Sequence, residues 1–164
     1  MSRITHDDLI ESARKWLFKA HSIVITEMMG GSEIPDAIGW GGGQSTTLIE
    51  CKTSHQDFLS DKKKISRQWI GMGDFRYYLV PQGVISLNEL PEKWGLLEYK
   101  DKRSHSKLIK NAEYQHEKSW RSEMGLLCSA LRRIGGLRKE GVSVRVYQYE
   151  TKNKATLGIA RRNR

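Results

Sequence analysis

The sequence predicts an α/β fold with a mixed central sheet, and three observations carry the prediction. A helical apolar face opens the chain, three short strand-like segments follow it, and a second helical period separates the third of these from a further strand. A helix between consecutive strands calls for a crossover, which places a parallel pair inside the sheet. The expected order is αβββαβ, with helices flanking the sheet and a basic extension after it. At 164 residues the chain is read as a single domain over 1–164, its core at about 5–81 and its elaboration over 82–164.

Each element has its own signal. In "THDDLIESARKWLFKA", Leu9, Ile10, Ala13, Trp16, Leu17 and Ala20 share one helical face, Thr5 is an N-cap and acidic residues fill the first turn. "SIVITEM", residues 22–28, is a short β-branched strand that ends before Gly30-Gly31. "PDAIGW" and "TTLIECK" are two strands joined by "GGGQS", a loop suited to a hairpin. From Ser54 the period becomes helical, with Phe58, Ile65 and Trp69 on one face and Gly71 and Gly73 as a stop. "FRYYLVP", residues 75–81, is a strand closed by proline. Further on, "SLNELPEKWGLLEY" reads as a helical turn and a brief strand. "HEKSWRSEMGLLCSALRRIGG" reads as a helix with Met124, Leu127, Leu131 and Ile134 on one stripe, and "VSVRVYQYE" as a half-exposed strand.

The formal charge of +9 points to a polyanionic partner, nucleic acid first, although many basic proteins bind nothing in particular. The charge is unevenly placed: residues 102–164 hold 16 Lys and Arg against 5 Asp and Glu, and residues 1–101 hold 12 against 14. Two cysteines, Cys51 and Cys128, are too few for a disulfide framework and lack zinc-finger spacing. The acidic start "MSRITHDDLI" does not resemble a signal peptide, and no apolar run approaches membrane-spanning length. A cytoplasmic protein with no membrane partner is expected.

Acidic chemistry gathers at residues 33–52, "EIPDAIGWGGGQSTTLIECK". Alternate strand residues share a face, so Glu50 and Lys52 point one way and Cys51 the other. If the two strands form a hairpin, Asp36 comes alongside Glu50. Solvated cross-strand charges are the plain account of such residues. Yet an otherwise apolar strand that gains Glu and Lys on one face is costly to bury unless those groups are paired or hold an ion. Mg²⁺, with Mn²⁺ as a substitute, needs one or two carboxylates and a carbonyl, which Asp36, Glu50 and the backbone carbonyl of Cys51 can supply. Such a set, with Lys52 beside it, suits phosphodiester cleavage by a metal-activated water.

Asp36 after a proline, then Glu50-Cys51-Lys52 after a loop, resembles the PD-(D/E)xK nuclease superfamily. The run "IECKTSHQDFLSDKKK", with "GMGDFRYYLVPQGVI" and "ELPEKWGLL", is similar to bacterial and phage members, including the MmcB-like group linked to DNA repair. The resemblance, over about residues 5–81, implies a restriction-endonuclease-like core. It also implies Mg²⁺-dependent hydrolysis of DNA, with Asp36 and Glu50 as metal ligands and Lys52 as the catalytic lysine. Glu11, on the first helix, and Glu27, ending the first strand, are further metal-side candidates; an exposed charge is the plain account of each.

DNA contacts are expected from Ser54 and Gln56 at the second helix's N-terminus, where anions are attracted. Lys62, Lys63, Lys64, Arg67, Arg76, Arg132 and Arg133 would grip the backbone, and Trp40 would stack on a base. Ordinary capping, solvation and core packing would explain the same residues. A homodimer is a further expectation, since cutting two strands favours two copies. Two other readings stay open: an inactive DNA-binding accessory protein, and a phage-type inhibitor acting through protein contact.

Overall fold

Thr5 starts the chain's first element by a reciprocal cap: its hydroxyl accepts the Asp8 N–H at 3.2 Å and its own N–H donates to Asp8 Oδ2 at 3.1 Å. In this computed structural model, which describes residues 3–29, 33–43, 45–63, 70–101 and 106–134, the capped segment is α1 (His6–Leu17). There follow β1 (Ile23–Thr26), β2 (Ala37–Trp40), β3 (Thr46–Cys51), α2 (His55–Lys62), β4 (Phe75–Pro81), a 3-10 turn (Leu87–Glu89), β5 (Gly95–Tyr99), β6 (Lys107–Lys110) and α3 (Trp120–Ile134). The first six of these elements keep the expected αβββαβ order.

All six strands form one sheet in the order β1 to β6. β1, β2 and β3 pair antiparallel, β3, β4 and β5 pair parallel, and β6 returns antiparallel with a bulge at Leu96/Leu97. The sheet is mixed, as expected, and the fold is α/β. The sheet runs past residue 81, with β5 and β6 in the part read from sequence as elaboration. β6, "KLIK", was not foreseen: it is four residues long, lysine-flanked and mostly exposed, so it carries neither alternation nor an apolar run.

Helices cover both faces. On one, Leu9, Ala13 and Leu17 of α1 pack on Val24, Ala37, Ile49, Leu79 and Leu97. On the other, Phe58 of α2 and Leu126 and Ala130 of α3 pack with Ile38, Leu48, Tyr78, Val80 and Leu96. β3 is buried along its whole length, which a central strand under two layers requires. Two glycines permit close approaches: a Cβ at Gly39 would lie 2.8 Å from the His21 ring, and Gly73, at φ +89°, would meet Leu48 at the same distance.

Two expected faces are corrected. α1 ends at Leu17, so Ala20 lies beyond it and is exposed. In α3 the core-facing residues are Glu123, Leu126 and Ala130, whereas Met124 and Leu131 of the expected stripe are 61% and 65% exposed. A charged residue on the buried face concealed that face from an apolar count. The expected strand at 142–150, with Gly30-Gly31, Gln44, Ile65, Trp69 and the tail, lies outside the described residues.

Glu123 is buried because it joins a polar network at the start of β3. Lys118 Nζ lies 2.7 Å from Asp74 Oδ2, 3.3 Å from Glu123 Oε2 and 3.0 Å from Thr46 Oγ1. Backbone N–H groups complete it: Thr46 N donates to Asp74 Oδ2 at 2.7 Å and Gly73 N to Glu123 Oε1 at 2.8 Å. Removing the ammonium strands two buried carboxylates. Lys118→Ala should therefore cost about 3–5 kcal/mol in urea unfolding, whereas Lys62→Ala, at an exposed position, should stay within about 0.5 kcal/mol.

Candidate functional site

The opposite end of β3 carries a second buried charge cluster. Ala37 faces Ile49 in the β2–β3 register, so Asp36, one residue before β2, falls beside the end of β3. There its Oδ2 accepts the Cys51 N–H at 2.7 Å, which pins the carboxylate to the strand. Lys52 extends the β3–β4 ladder by one step, its N–H donating to Leu79 O at 3.0 Å. Glu50 and Lys52 then share the face that α2 covers, and the Cys51 side chain packs on the α1 side.

Lys52 Nζ lies 3.2 Å from Glu50 Oε2, 3.7 Å from Asp36 Oδ2 and 3.5 Å from Asp61 Oδ1. The three residues expected from sequence therefore meet. Burial alone would lower the Lys52 pKa; the charges of Glu50, Asp36 and Asp61 outweigh it and leave the pKa raised. Burial likewise opposes ionisation of Asp36, but His6, Lys52 and the Cys51 N–H prevail and hold its carboxyl below the ordinary value. The Cys51 thiol is pushed well up, first by burial and then by the carboxylates around it.

Three participants were not foreseen. Asp61 of α2 is 1% exposed and belongs to the charged run "DKKK", which reads as a solvated face. The available signal was its spacing of three from Phe58, which puts both on the buried side of α2. Tyr78 stands opposite Glu50 in the β3–β4 register and donates its hydroxyl to Asp61 Oδ2 at 3.0 Å. His6, from the other layer, brings Nε2 to 3.5 Å from Asp36 Oδ1, and its pKa is raised, chiefly by that contact.

The other expected residues are distributed as follows. Glu11 turns along α1 to Arg14, at 2.6 and 2.7 Å, and to Lys15 at 3.5 Å, away from the cluster. Glu27 sits at the rim: its N–H donates to Asp36 O at 3.1 Å, its φ is +51°, and its charge acts on His6. Trp40 lies at the far end of β2, roughly 13 Å along the strand from Asp36 by extended-chain spacing, and its ring packs on the core. Nearness in sequence does not make it a neighbour of the carboxylates. Arg76 is buried, its Nε donating to Met72 O at 2.8 Å and its guanidinium near Trp94, so it is a structural arginine and not a surface cation.

Ser54 caps α2, accepting the Asp57 N–H at 3.2 Å, and Gln56 is exposed on the first turn. Lys62, bonded to Glu89 O at 2.6 Å, and Lys63 are exposed at the end of α2; Arg132 and Arg133 are exposed at the end of α3. Lys64 and Arg67 lie outside the described residues.

No family model matches the chain, and no curated protein matches it. One solved structure does. It is a protein of unknown function from Silicibacter pomeroyi, 22% identical, with a TM-score of 0.61 over 84% of this chain and 94% of that one. That likeness supports the fold and carries no activity. Among the described residues no helix is long and apolar enough to cross a membrane.

The donor set can be tested for a divalent cation. Among the described residues, no three His, Cys, Asp or Glu side chains are arranged as a ready metal cage. Mg²⁺ does not need one, since it binds through one or two carboxylates and keeps waters. Among the described residues, the carboxylates of Asp36, Glu50 and Asp61 are hard oxygen donors of the kind such an ion takes. The Asp36 shift also sets a pH signature. A depressed carboxyl contributes stability that is present above its ordinary value of 3.8 and is lost as pH falls through the lower folded value. Thermal melting of Asp36→Asn should show a flatter acid limb than wild type below about pH 4.

Proposed function

We propose that this protein is a divalent-metal-dependent deoxyribonuclease. The observation that carries the reading is the meeting of Asp36, Glu50 and Lys52 at one end of β3, with Lys52 Nζ 3.2 Å from Glu50 and 3.7 Å from Asp36. The αβββαβ order and the "PD" and "ECK" segments add the resemblance to PD-(D/E)xK nucleases. Asp36, Glu50 and the Cys51 carbonyl would hold Mg²⁺ or Mn²⁺. When bound, the ion supplies Lewis-acid polarisation of the phosphate and lowers the pKa of water. Asp36 is kept ionised and oriented by the Cys51 N–H; Lys52 offers an ammonium for the charge that develops on the phosphate.

DNA as the substrate is supported by the charge of +9 and by exposed cations at the ends of two helices. Lys62 and Lys63 extend from the helix that carries Asp61, and Arg132 and Arg133 from α3. Contacts of this kind bind phosphate without reading bases and weaken with salt.

The test is cleavage of plasmid and single-stranded DNA in Mg²⁺, Mn²⁺ or EDTA. Wild type should cut with metal and not in EDTA, and Asp36→Asn and Lys52→Met should each lose at least about 100-fold in rate. Both should keep salt-sensitive DNA binding. Absence of cutting by wild type with either metal would defeat the enzyme reading. Cutting by the variants at the wild-type rate would mean that the site lies elsewhere.

A further inference from the structure

We propose that Asp61, tethered by Tyr78, is the positioning residue of Lys52, holding the ammonium at the site when Asp36 and Glu50 turn to a metal ion. The inference rests on the nuclease reading for its catalytic consequence, but the tether itself is a property of the fold.

A carboxylate with 1% exposure inside a helix–sheet interface needs compensating partners. Two partners among the described residues meet its two oxygens. Oδ2 takes the Tyr78 hydroxyl at 3.0 Å, and Oδ1 lies 3.5 Å from Lys52 Nζ. Tyr78 is itself fixed, stacked on Trp94 at 4.5 Å between centroids and edge-on to Phe58 at 5.0 Å. Phe58 is on α2, three residues before Asp61, so helix, tyrosine and carboxylate form one packed unit.

Asp36 and Glu50, the other two carboxylates near Lys52, belong to the β2–β3 hairpin and are the residues a divalent cation would engage. With a cation bound there, the ammonium would be repelled and would lose both carboxylates as partners. Lysine has a flexible four-carbon stem and no fixed geometry of its own, so it needs an anchor on a different element to stay in place. Asp61 is that anchor, because Tyr78 fixes it to β4 independently of the metal ligands. A purely structural role would require only that Asp61 satisfy Tyr78, and would leave Lys52 indifferent to its charge.

The experiment follows the Lys52 side-chain ammonium signal in ¹H–¹⁵N correlation spectra, assigned with Lys52→Arg, in wild type, Asp61→Asn and Tyr78→Phe. It is recorded without metal and with saturating Mg²⁺. A held ammonium exchanges slowly with water and is visible; a released one is not. Wild type should keep the signal in Mg²⁺, Asp61→Asn should lose it, and Tyr78→Phe, which preserves the aromatic stack, should weaken it.

In DNA cleavage, kcat of Asp61→Asn should fall by about 10- to 100-fold, the range for loss of an orienting partner, with KM for DNA and half-saturating Mg²⁺ unchanged. Retention of the Lys52 signal in both variants overturns the proposal. So does a raised Mg²⁺ requirement for Asp61→Asn with the signal intact, which would make Asp61 a ligand. If wild type cuts no DNA, the nuclease reading fails alone, and the ammonium signal still decides the tether.

Discussion

Burying an ammonium among carboxylates is the constraint around which the α2 side of this sheet is organised, and it is met at both ends of β3. At the start, Lys118 meets Asp74 and Glu123; at the end, Lys52 meets Glu50, Asp36 and Asp61. Thr46, Glu50 and Lys52 lie on one face of the strand by its period of two, so one side of one strand presents both clusters to the covering helices. Six buried residues leave few places for such charges: they must be paired or the strand could not lie at the centre of the sheet.

The two clusters are built differently. Lys118 sits at 2.7 Å from Asp74, and backbone N–H groups of Thr46 and Gly73 close on the same carboxylates. That arrangement is tight and locks α3 to the sheet. Lys52 stands at 3.2 to 3.7 Å from the carboxylates of Glu50, Asp36 and Asp61. The ammonium of Lys52 is thus spread over three carboxylates from separate segments, whereas that of Lys118 closes most tightly on one.

How far the sequence reveals this depends on which contacts are local. Glu50 and Lys52 share a strand and Asp36 sits across one hairpin, so strand alternation is enough to bring them together. Asp61, Tyr78 and His6 arrive by packing of α2, β4 and α1, and their identities in the sequence are those of a charged run, a core aromatic and a helix-start histidine. Trp40 shows the converse failure: it is four residues from Asp36 in the chain, but an extended strand carries it to the other end of the sheet. Arg76 was counted with the surface cations because a composition count cannot tell a buried guanidinium from an exposed one. Glu123 hid the core face of α3 for the same reason, since its burial depends on a lysine and a threonine from other segments.

Asp36 is the point where the two layers of the fold meet. Its Oδ2 is held from the sheet by the Cys51 N–H, its Oδ1 faces His6 of α1, and its backbone carbonyl accepts the Glu27 N–H. Glu27 takes up φ +51° there, a conformation of order 1 kcal/mol unfavourable for a non-glycine residue, which persists only where neighbours fix it. The carboxylate is therefore fixed by groups from α1, β1 and β3 before any ligand arrives. That is preorganisation: a group already oriented and ionised loses less on engaging a cation than one that must first be ordered and deprotonated. Lys52, on its flexible stem, is held through its ammonium by Glu50 of β3, by Asp36 and by Asp61 of α2, and of these Asp61 lies off the β2–β3 hairpin.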